Sequence, residues 1–127
     1  MGDADYTSRA YLSRFFEWSH EALEDLMVAA GDRLDRAFAE EGWGMPLVHA
    51  QATIEAQANF ADTLEVRLQV ERIGTRSVTL SCEFFDRQET HIASTRLVHT
   101  FVLLDGLHES INVPDRLLSV FRRLRLV

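Results

Sequence analysis

Leu64-Glu65-Val66-Arg67-Leu68-Gln69-Val70-Glu71 alternates apolar with charged or polar side chains without a break. A period of two sends the two sets to opposite sides of a pleated chain, so this run predicts a strand with one buried face. Val78, Leu80, Cys82 and Phe84 repeat the rule in the next run, and Ile73-Gly74-Thr75-Arg76 between the two reads as a hairpin turn. Asp86 to Glu89 reads as a second turn, followed by an apolar run from Ile92 to Leu104. Three consecutive strands joined by short turns make an antiparallel meander.

Upstream, Leu47 to Ala58 is expected to supply an earlier strand, with Phe60-Ala61-Asp62 as the turn that follows it. From Leu12 to Ala30 the period changes. Leu12, Phe15, Phe16, Leu23, Leu26, Met27 and Ala30 recur at spacings of three and four, which predicts an amphipathic helix capped near Ser13 and stopped at Gly31. A shorter helix is expected from Asp32 to Glu41, ended by Gly42-Trp43-Gly44 and Pro46. Downstream, Val113-Pro114-Asp115 opens a last helix carrying Leu117, Leu118, Val120 and Phe121, with Arg122 and Arg123 at the end where cations suit the helix dipole. One long apolar helix beside an antiparallel meander defines an α+β class, and a sheet wrapped around the helix buries its apolar stripe economically. Other α+β arrangements share this order of elements.

The 127 residues suit one domain, residues 1–127, with no polar stretch long enough to separate two. Thirteen basic against twenty acidic residues give a net charge of -7, which disfavours nucleic acid and anionic membrane surfaces as partners. A small anionic ligand remains compatible, because a few local arginines can hold a phosphate. Cys82 is the single cysteine, so neither an intramolecular disulfide nor a cysteine zinc site is available. Five histidines without HxH or HExxH spacing point to no metal. No run approaches the ~18 apolar residues of a membrane span, and no basic stretch precedes an apolar one at the N-terminus. A cytoplasmic location is expected.

Gly2-Asp3-Ala4-Asp5, followed by Tyr11 and Arg14-Phe15-Phe16-Glu17-Trp18, resembles the N-terminal signature of the hydroxybenzoyl-CoA thioesterase branch of the hotdog superfamily. Gly42-Trp43-Gly44-Met45-Pro46-Leu47-Val48, Asn59-Phe60-Ala61-Asp62-Thr63-Leu64-Glu65-Val66 and Val98-His99-Thr100-Phe101-Val102 extend the resemblance over nearly the whole chain. It implies a hotdog fold, an acyl-CoA or acyl-carrier thioester as substrate, no cofactor, and a homodimer or dimer of dimers with the site between subunits. The family's acting carboxylate aligns with Asp5, as nucleophile or as general base for water. A thioester is already activated, so one carboxylate and a pair of donors for the oxyanion suffice. By the same resemblance the backbone N–H near Leu12, at the expected helix start, is the oxyanion donor, and Tyr11 belongs to the substrate site.

An acidic residue ahead of a helix also serves simply to satisfy its loose donors. The family places a small residue or proline and then a glycine after the carboxylate, where this chain has Tyr6-Thr7-Ser8-Arg9. That difference opens a second reading, a non-catalytic hotdog that binds an acyl or aromatic ligand. A different α+β ligand-binding domain is the third. The family also has a strand ahead of the signature, so either such a strand lies upstream or one sheet edge is bare. His49 and His99 sit in strand-like runs and read first as core or interface residues, with His49 kept as a pocket residue. His20 reads as solvated, and Cys82 as an inert core thiol.

Overall fold

A computed structural model describes residues 2–29, 39–56, 63–105 and 107–124, the side chains of residues 2–11 and 124 excepted. Helix α1 spans Gly2–Ala29. The strands are β1 (Trp43–Gly44), β2 (Leu47–Ile54), β3 (Glu65–Ile73), β4 (Ser77–Phe85), β5 (His91–Thr100) and β6 (Val102–Leu103), and helix α2 spans Asp115–Leu124. The main sheet is antiparallel throughout, in the order β2-β5-β4-β3, and β1 pairs with β6 in a separate two-stranded ribbon.

The meander forms where the alternation predicts it. Leu68 lies opposite Cys82, and Cys82 opposite Thr95, so the inward rows of β3, β4 and β5 fall in register. Val78, Leu80, Cys82 and Phe84 are fully buried beneath α1. Gln51, Thr53, Gln69, Glu71, Ser81, Glu83, Ser94 and Arg96 line shallow hollows across the other face of the sheet, where the Arg96 guanidinium donates to Glu71 at 2.6 Å. On α1 the buried line is Phe15, Ser19, Leu23 and Met27, a four-residue spacing that keeps it on one side of the helix. Phe15 meets Phe84 edge-on at 4.9 Å between centroids, and Leu23 and Met27 join Val70, Val78, Leu80, Phe101, Leu117 and Phe121 in the larger apolar cluster.

Two expectations are corrected. The helix begins at Gly2 and not near Leu12. Tyr6-Thr7-Ser8-Arg9 contains neither glycine nor proline, Ala4 and Ala10 favour helix, and Asp3 and Asp5 suit the positive end of the dipole, so nothing in the segment stops the helix. The long run from Ile92 is also not one strand: it breaks at Phe101, and β6 pairs with β1, an element that two residues cannot announce by periodicity. The second helix expected over 32–41 lies largely outside the described residues, of which 39–41 are helical and are followed by Gly42 at a φ of 72°, the left-handed stop that glycine permits. Gly31, the expected stop of α1, and the 60–62 turn also lie outside them.

Candidate active site

The residues singled out by sequence fall on two elements. Asp5, Tyr11 and Leu12 lie on α1, and His49 on β2. Asp5 sits in the opening turns of the helix, where the first amides have no intrahelical acceptor and the dipole favours negative charge. Asp5, Leu12 and Ser19 recur every seven residues, and seven residues of α-helix fall only about 20° short of two turns. The backbone position of Asp5 therefore lies on the continuation of the face that Ser19 turns to the sheet. Leu12 itself is half-buried. Its N–H lies ten residues inside the helix, within the hydrogen-bond ladder, so the expected free amide at this position is not present in this conformation.

His49 stands apart from these residues. It is exposed on an edge strand, and its Nε2 lies 3.3 Å from Gln51 Oε1. One side of β2 pairs with β5 and the other has no partner strand among the described residues; nearly the whole strand is exposed, including Leu47, Val48 and Ile54. His20 on α1 is exposed as expected, with Nε2 2.7 Å from Glu24 Oε1.

His99 is buried, as the core reading expects. Its Nδ1 donates to the Met45 carbonyl at 2.9 Å, and its Nε2 has no hydrogen-bond partner among the described residues. Burial, the largest influence, pushes its pKa below 6.5, partly opposed by the Met45 bond. Cys82 is fully buried and burial raises its thiol pKa. Among the described residues no His, Cys, Asp and Glu side chains cluster as a metal site, and no helix is long and apolar enough to cross a membrane.

A groove of about 610 Å³ runs between α1 and β3, walled by Trp18, Ala22, Leu26, Leu64, Val66 and Leu68 with Glu21 and Asp25 at its rim. Sequence reasoning missed it because the helix and strand that wall it lie about forty residues apart. Trp18 is roughly 20 Å along the helix from Asp5 at ~1.5 Å per residue, so the groove does not adjoin Asp5 of the same chain.

A helix packed on an antiparallel sheet of this order is the architecture of hotdog-fold thioesterases. The dynemicin thioesterase superposes with a TM-score of 0.84 at 21% identity, over 92% of this chain and 85% of that one. A 1,4-dihydroxy-2-naphthoyl-CoA thioesterase from Synechocystis superposes with a TM-score of 0.81 at 20% identity, over 88% of this chain and 82% of that one. In sequence, the 1,4-dihydroxy-2-naphthoyl-CoA hydrolase of Prochlorococcus marinus (strain MIT 9303) is 27% identical over 125 residues, 91% of this chain and 75% of the relative. The profile of the thioesterase-like superfamily matches residues 1–121, and the chain belongs to that family.

Proposed function

We propose that the chain hydrolyses an acyl-CoA thioester in the cytoplasm as a homodimer, with Asp5 as the acting carboxylate. The observation that supports this reading is that Asp5 lies in the opening turns of α1, where amides stand free. The carboxylate either attacks the thioester carbon, giving a mixed anhydride that water then cleaves, or takes a proton from the attacking water; in both cases the coenzyme A thiolate leaves and a free acid forms. Donors for the oxyanion come from the helix start, since a donating Leu12 amide would require the ladder around Ser8 to open. Tyr11 and His49 belong to the substrate site, His49 from the bare edge of β2. That edge supports pairing of β2 with a second copy, which would bring the two open edges, and with them both His49 side chains, into one cleft.

The panel to test begins with bicyclic aromatic acyl-CoAs of the kind the naphthoyl-CoA hydrolase relatives are named for, and continues through short and long aliphatic ones. Asp5→Asn should lower kcat by about a hundredfold or more with binding retained, because asparagine keeps the shape but cannot act as base or nucleophile. Equal rates in wild type and Asp5→Asn would sink the assignment. His49→Ala should raise KM severalfold with kcat unchanged.

One observation favours the non-catalytic reading: Tyr6 to Arg9 are helical, where the family's glycine would allow a carbonyl-binding loop. A wild type that binds an acyl-CoA but releases no thiol from any member of the panel decides for it.

A further inference from the structure

Phe15, Ser19, Leu23 and Met27 are each no more than 1% exposed, and Ser19 is the polar member of this line. Its hydroxyl donates to the Phe15 carbonyl at 2.7 Å. A hydroxyl has one hydrogen, so the second contact of Ser19 Oγ, 2.7 Å to Thr95 Oγ1, has Thr95 as donor. Thr95 is 2% exposed on β5, and Cys82 lies opposite it on β4, with its thiol in hydrogen-bonding reach of both hydroxyls. A directional chain from Thr95 through Ser19 to the Phe15 carbonyl thus joins sheet to helix at the boundary between the two apolar clusters, one holding Phe15 and Phe84, the other Leu23 and Met27.

Apolar contacts are non-directional and tolerate a helix that slides or rolls. A buried hydroxyl pair does not, because any shift leaves a donor without an acceptor in a dry interface. Ser19 lies two seven-residue steps from Asp5 on nearly the same face, about 21 Å along the axis at ~1.5 Å per residue. We propose that Ser19 and Thr95 are positioning residues that set the rotation and axial register of α1 on the sheet and thereby place Asp5; this rests on the reading of Asp5 as the acting carboxylate. An axial slip of α1 at Ser19 carries Asp5 by the same amount, and a misplacement of about 1 Å is enough to cost about a hundredfold in rate.

Thr95→Val removes the hydroxyl at nearly constant shape, and Thr95→Ser keeps it. Two measurements are made on each: kcat and KM on an acyl-CoA the wild type hydrolyses, and the distance distribution between nitroxides on Arg14→Cys and Gln88→Cys. Both label positions are exposed while Cys82 is buried, and labelled protein is diluted with unlabelled chain to suppress distances between subunits. Thr95→Val should lower kcat tenfold or more with KM within twofold and shift or broaden the distances, and Thr95→Ser should restore both. An unchanged distribution in Thr95→Val overturns the proposal whatever the activity. A displaced helix with unchanged kcat overturns the link to Asp5. Should Thr95→Val not fold, Ser19→Ala/Thr95→Val, which leaves no hydroxyl unpaired, is measured in its place, and wild-type distances there are equally decisive. Failure of the carboxylate reading shows separately, as full activity in Asp5→Asn, and the distance measurement does not depend on it.

Discussion

His99 Nδ1 lies 2.9 Å from the Met45 carbonyl oxygen, and because a carbonyl only accepts, Nδ1 carries the hydrogen and the partnerless Nε2 is a bare lone pair in the core. The ring is thereby held neutral, with burial keeping its pKa below 6.5. Between that lowered value and about 6.5 the unfolded chain binds a proton that the folded chain refuses, so stability falls as the pH drops below about 6.5, by up to ~1.4 kcal/mol per pH unit, until the folded ring also protonates. Asparagine can donate to Met45 but does not titrate. His99→Asn should therefore lose less stability than wild type as the pH falls from 7 to 5.5, read from urea unfolding. Identical pH dependence in the two proteins would contradict this.

Phe84 is fully buried and meets Phe15 edge-on. Phe84→Ala should destabilise the fold by about 3–5 kcal/mol through lost transfer energy and the cavity left under α1. Denaturant unfolding checks it, and a loss under about 1 kcal/mol would mean that the helix does not rest on this side chain.

Cys82 combines full burial with a raised thiol pKa, and it is the thiolate that reacts. In native protein a thiol reagent should label it slowly, with stoichiometric labelling only after denaturation. Rapid labelling of the folded chain is the contrary result.

Val48 projects from the bare strand β2 and is 57% exposed. Two such edges pair antiparallel about a two-fold axis, which puts an added lysine against its own copy or against the partner's apolar residues. Wild type should scatter light as a dimer at micromolar concentration, and Val48→Lys should weaken the dimer about tenfold or more. A wild type of one-chain mass at that concentration removes the proposed interface.

The strands were legible where one face is buried and the other wet. Leu64 to Glu71 and Val78 to Phe84 announce β3 and β4 because the core demands every second residue. Trp43–Gly44 and Val102–Leu103 could not be read this way, since two residues have no period and their pairing is between segments about sixty residues apart. The start of α1 was misplaced for a different reason. Apolar spacing marks only where a helix is covered, and Gly2 to Tyr11 continue the helix on propensity and end charge without adding to that pattern. Of the site, Asp5 came from resemblance, while its face on α1 follows from the helix having no break between it and Ser19.

Periodicity by itself determined the α+β class, the meander and the buried sides of β3 and β4, because burial of apolar surface acts residue by residue along the chain. The bond from Thr95 to Ser19, 76 residues apart, the partnerless nitrogen of His99 and the open edge of β2 were decided only in three dimensions. Hydrogen bonds and strand edges depend on which atoms meet, and alternation along a sequence records which residues avoid water but not what they meet when they do.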